Sequence, residues 1–139
     1  MKITANVLKD IMSSFPPAPP ERGGIIGGKN GIVSVFCYDN AGPSEQAVYI
    51  PDTVYLNSVI KEWYRSGISF FGMIHSHLRN EPSLSTGDIQ YIEAIMSGMK
   101  PGEKLYFPIV LPDCVIPYIA IKTETSVNIK QDVLNVHSE

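Results

Sequence analysis

Cysteine is scarce in this chain: the two residues present, Cys37 and Cys114, stand far apart and form no C-x-x-C pair. That excludes a disulfide framework and a thiolate zinc cluster, and it suits a reducing, cytoplasmic setting. Each cysteine is expected to be a small buried hydrophobe. Long hydrophobic runs are missing too, since no stretch approaches the ~18 apolar residues of a membrane span. Met1–Asn6 lacks the apolar core of a secretory signal. Basic charge is in deficit, with 11 Lys+Arg against 14 Asp+Glu and a net charge of −3. No Lys/Arg stripe is interleaved with aromatics, so nucleic acid is not an expected partner. The sequence also has no H-E-x-x-H helix of a zincin and no P-C-x-x-C of a nucleobase deaminase.

What is there fits one globular domain over residues 1–139, with 44% hydrophobic and 18% charged residues. Residues 1–20 read as an N-terminal helix and a proline-rich connector, and residues 122–139 as a polar C-terminal tail. In the helix, Ile3, Val7 and Ile11 share a face, Thr4 is a cap, and Phe15-Pro16-Pro17 is the stop. The connector contains P-x-x-P, an SH3-type ligand pattern, but a stiff spacer leading to Glu21 is the better reading. Two strands, 24–28 and 32–38, are expected to turn at Asn30-Gly31. A loop over 39–45 and a third strand over 46–50 precede a second helix, capped by Asp52 and ended by Gly67. The apolar run 68–74 reads as a buried strand, and residues 86–97 as a third helix. Strands over 105–111 and 115–121 follow, then a short strand near 127–129 and a loose end. Strands flanked by three helices make a mixed α/β (α+β) domain.

Chemistry concentrates between Gly72 and Asp88. His75 and His77 end the apolar strand two residues apart, and residues i and i+2 of a strand point to one face. Asp88 follows just inside the third helix. Two imidazoles and a carboxylate form a set that zinc accepts, with a fourth position left for water, as a catalytic site requires. Ser85-x-x-Asp88 has a second explanation, a capping box that satisfies backbone donors at the helix start. Ligation and capping compete for one Asp88 side chain, and ligation is favoured because the histidines need a third partner.

His75-Ser76-His77, seven residues, then Ser85-Thr86-Gly87-Asp88 resembles the His-x-His-x7-Ser-x-x-Asp signature of JAMM metalloproteases in the JAB/MPN domain family. Glu21, followed by Arg22-Gly23-Gly24-Ile25-Ile26, is similar to that family's upstream glutamate. Leu78 departs from the pattern, because many relatives carry proline directly after the second histidine. The resemblance implies a curved, mostly antiparallel sheet packed by helices. It also implies one zinc ion held by His75, His77 and Asp88, with Glu21 as general base and Ser85 stabilising the oxyanion. The implied substrate is a ubiquitin-like or sulfur-carrier protein, cut at the amide after its C-terminal glycines as an isopeptide or a linear peptide. The rival expectation is a metal-free MPN scaffold that dimerises or holds assemblies together, so a homodimer stays open. Such scaffolds usually lack part of the ligand set, and this chain keeps all of it.

Overall fold

The computed structural model of the chain describes residues 1–40 and 49–138. Strand β1 (Lys2–Thr4) runs straight into helix α1 (Ala5–Ser14), where the Thr4 side chain accepts the Val7 N–H as the cap. Strands β2 (Gly23–Lys29) and β3 (Ile32–Tyr38) form the expected hairpin. Its turn holds Asn30 at φ 55° and Gly31 at φ 76°, the positive pair that a tight antiparallel turn takes. Helix α2 (Thr53–Arg65) is capped by Asp52, whose side chain accepts the Tyr55 N–H at 3.1 Å. Gly67 at φ 76° then redirects the chain into strand β4 (Ser69–Ser76). Helix α3 (Thr86–Met96) follows.

Beyond α3, the strands expected over 105–111 and 115–121 are each cut in two by a proline, which offers no N–H to a ladder. Pro108 separates β5 (Lys104–Tyr106) from β6 (Ile109–Val110), and Pro117 separates β7 (Val115–Ile116) from β8 (Tyr118–Lys122). Strands β9 (Val127–Gln131) and β10 (Asn135–His137) complete the sheet. The tail, expected to be loose at its end, instead pairs parallel to β1, from Lys2 opposite Asn135 to Thr4 opposite His137. Cys37 is half-buried, and Cys114 is exposed in the turn between β6 and β7, so neither is the buried hydrophobe expected. Of the strand expected over 46–50, residues 46–48 lie outside the described residues, and Tyr49 and Ile50 are in no strand. The loop expected over 39–45 lies outside them from residue 41 onward.

The sheet order is β10-β1-β3-β2-β4-β5-β8-β9, with β6 beside the end of β4. Its long ladders, β3-β2-β4 and β5-β8-β9, are antiparallel, giving the curved mixed α/β architecture. Ile26, Val33 and Ile74 pack with Ile3 and Ile11 of the α1 side. Phe70 and Met73 pack instead with Ile92, Met96, Leu105 and Phe107 of the α3 side. Neighbouring strand residues point to opposite faces, so α1 and α3 cover opposite sides of β4. His75 has the parity of Met73 and therefore emerges on the α3 side. Each fully buried isoleucine in these clusters stabilises the fold by ~1.5–3 kcal/mol.

At Gly72 the sheet leaves no room for a side chain. The register between β2 and β4 shifts there, and Gly72 takes φ +149° with an ideal Cβ only 1.8 Å from the Tyr106 carbonyl oxygen. Gly72→Ala should therefore lower unfolding free energy by about 3 kcal/mol or more, through overpacking plus backbone strain. Denaturant titration tests this, and a loss below about 1 kcal/mol would contradict the tight β4–β5 approach.

Candidate metal centre

Glu21 reaches the histidines because β2 and β4 are antiparallel. Gly23 stands opposite His75, so the residues entering β2 lie beside those ending β4. Ser76, between the two histidines and on the opposite face, secures this contact. Its Oγ accepts the Arg22 N–H at 2.9 Å, while its own N–H donates to the Arg22 carbonyl at 2.8 Å. Glu21 is then held with Oε2 3.9 Å from His77 Nε2. Gly23 makes space for the Tyr49 ring, which a Cβ at that position would meet at 2.2 Å. The Tyr49 hydroxyl donates to Oδ2 of buried Asp39 at 2.7 Å, and the Asp52 N–H donates to the same oxygen at 2.9 Å. The Tyr49 main chain also lies close enough to the Glu21 carboxylate to favour its charged form.

The two imidazoles converge, with their Nε2 atoms 2.8 Å apart. Asp88 meets both: Oδ1 lies 3.2 Å from His75 Nε2, and Oδ2 lies 3.1 Å from His77 Nε2. The capping box is present as well. The Ser85 N–H donates to Asp88 Oδ2 at 2.9 Å, and the Asp88 N–H donates to Ser85 Oγ at 3.0 Å. Capping, expected to compete with ligation, therefore coexists with contact to both histidines. A carboxylate has two oxygens and about four lone-pair directions, enough for both tasks. Capping aims the carboxylate at the imidazoles.

Hydrogen bonding fixes the tautomer of His77. Its Nδ1 lies 2.8 Å from the Glu81 carbonyl oxygen, which can only accept, so Nδ1 carries a hydrogen. In the neutral ring Nε2 then turns a lone pair toward the Asp88 carboxylate and His75. That lone pair and the Asp88 carboxylate are acceptors facing one another, and a proton or a metal cation between them relieves their repulsion. Glu21, His75 and His77 each bring one donor atom within 4.8 Å of the others, a group able to hold a metal ion. Asp88 lies 3.1–3.2 Å from both imidazoles and Glu21 stands 3.9 Å from His77, so Asp88 is the better placed carboxylate for a third ligand.

The field of the site has the same sense. Burial opposes a charged Asp88, yet hydrogen bonds from His75 and His77, with the Ser85 N–H, hold its carboxyl far below the usual range. Burial likewise opposes protonated His77, but Asp88, the Glu81 carbonyl and Glu21 together raise its pKa. For Glu21 burial dominates and raises the pKa, against the pull of His75 and His77 and with the push of Asp88. A pair of carboxylates around two imidazoles attracts positive charge. All four groups are largely sheltered, and Glu21, His75, Ser85 and Asp88 line one cleft.

No family model matches the chain, and no curated protein matches it. Solved structures do. The solution structure of a protein from Desulfitobacterium hafniense is 17% identical, covers 99% of this chain and 93% of its own, and has a TM-score of 0.69. The crystal structure of a JAB1/MPN domain protein from Archaeoglobus fulgidus is 18% identical, covers both chains completely, and has a TM-score of 0.53. The chain has the fold of that JAB1/MPN domain.

The five polar residues singled out from sequence, Glu21, His75, His77, Ser85 and Asp88, come together in the structure. Sequence reasoning missed Ser76, Asp39 and Tyr49, whose parts depend on pairings between distant segments. The only sequence signal for Ser76 is its parity, opposite to both histidines on β4. Ser76→Ala should leave the Arg22 N–H without its side-chain acceptor and lower stability by about 1–3 kcal/mol. Urea unfolding measures this, and a loss under about 0.5 kcal/mol would show that Ser76 is not needed to hold the strand entry.

Proposed function

We propose that the chain is a zinc-dependent amide hydrolase, with His75, His77 and Asp88 as metal ligands, Glu21 as general base and Ser85 as oxyanion donor. One observation carries this reading: both Nε2 atoms and the Asp88 carboxylate converge at 2.8–3.2 Å, with a second carboxylate beside them in the cleft. Two imidazoles and a carboxylate are a zinc donor set, and three protein ligands leave the site open for catalysis. Zinc bound there supplies a Lewis acid that lowers the pKa of a water from ~15.7 towards ~7.

The chain's own residues do the rest. Glu21 accepts a proton from the attacking water and returns it to the leaving amine. The Ser76–Arg22 bracket holds the strand entry that presents its carboxylate during both transfers. Ser85 Oγ uses a lone pair on the Asp88 N–H, which leaves its O–H free to donate to the oxygen of the tetrahedral intermediate. The bond cut is the amide after the C-terminal glycines of a ubiquitin-like or sulfur-carrier protein, in the cytoplasm. The JAB1/MPN fold supports this substrate class, and an extended tail can pair with a strand edge.

Glu21 also lies near enough to be a ligand, which gives the test its two arms. Glu21→Gln should keep zinc and lower hydrolysis of a C-terminally extended ubiquitin-like protein by about 10²–10⁴-fold. Elemental analysis and cleavage assays are run on the same sample. Loss of zinc would make Glu21 a ligand, and an unchanged rate would remove it from the mechanism.

A further inference from the structure

The cleft beside His75 and Asp88 is larger and more apolar than a glycine tail requires. Its cavity measures about 420 Å³, within the range of small-molecule sites. Besides the polar group already described, Tyr49, Pro51, Met73, Tyr91, Ile92 and Phe107 line it. The Tyr91 hydroxyl is turned onto the Met73 sulfur at 3.6 Å, so its ring joins the apolar wall. Among the described residues, no lysine or arginine lines the cavity, and its acidic groups are Glu21 and Asp88. An acidic side chain in the apolar part of the cavity would therefore find no basic side chain among these residues to pair with. A glycine has no side chain to displace water from such a wall.

We infer that this cavity is a specificity subsite for one large apolar side chain, aliphatic or aromatic, on a substrate residue close to the bond cut. The inference rests on the zinc hydrolase reading and adds to it a requirement that a glycine-only tail does not meet. Covering the hydrocarbon wall releases water, and each methylene placed in such a pocket is worth about 10-fold or more in discrimination. Gly87 offers a way to close it. Among the described residues an ideal Cβ there finds only Ser85 Oγ, at 3.8 Å, so a side chain can start from this helix position, and a leucine would add hydrocarbon to the cavity wall.

The test is calorimetric and needs no turnover. Zinc-loaded protein is titrated with acetohydroxamate and with 3-phenylpropanohydroxamate, which share a chelating head and differ in the apolar arm. The phenyl compound should bind about 10-fold or more tightly, and Gly87→Leu should bring the two within about 2-fold. Equal affinities for the unmodified protein, or a preference that survives Gly87→Leu, would overturn the subsite while leaving the metal reading intact. Failure of both compounds to bind would overturn the metal reading, and the subsite with it.

Discussion

The antiparallel pairing of β2 with β4 is the constraint on which the site depends. An antiparallel ladder sets the start of one strand beside the end of the other. Gly23 opposite His75 therefore brings Glu21 next to two histidines more than fifty residues later in the chain. Glycines on both strands leave room for the elements packed around this ladder. Gly23 admits the Tyr49 ring, and Gly72 admits the Tyr106 carbonyl. A side chain at either position would push apart the elements that bring the polar groups together.

The third element is added by a helix start. The Ser85–Asp88 capping box is a local device for backbone donors, yet here it also directs a carboxylate at both imidazoles. The same few atoms therefore stabilise α3 and complete the site. The local charge follows from this economy. Asp88 is kept ionised, His77 is drawn toward its charged form, and Glu21 is pushed toward its neutral form by burial. Two carboxylates beside two imidazoles make a cluster suited to a cation, and the cleft in front of it opens onto apolar walls.

Much of this was legible in the sequence where the signal is local. The period-2 rule put His75 and His77 on one face, the Asn30-Gly31 dipeptide marked the hairpin, and Thr4, Asp52 and Ser85 marked the helix starts. Non-local pairing was not legible. β1 and β10 are three residues each and find each other across almost the whole chain, too short to show alternation. Pro108 and Pro117 interrupt runs whose composition reads as continuous strand, because hydrophobicity ignores the missing N–H. The bracket made by Ser76 and the Asp39–Tyr49 pair likewise depend on partners that only the folded sheet supplies. At Asp88 the capping box coexists with contact to both histidines, because a carboxylate has two oxygens to share.

Metal content is the most direct test of the proposed site. Protein purified without chelator or affinity metal is compared with His75→Ala by elemental analysis. About one zinc per chain, lost in the variant while its circular dichroism stays native, is the expected result. Protein that neither carries zinc nor takes it up when zinc is added would show that the converging nitrogens and carboxylate are not a metal site, and the hydrolase reading would fall.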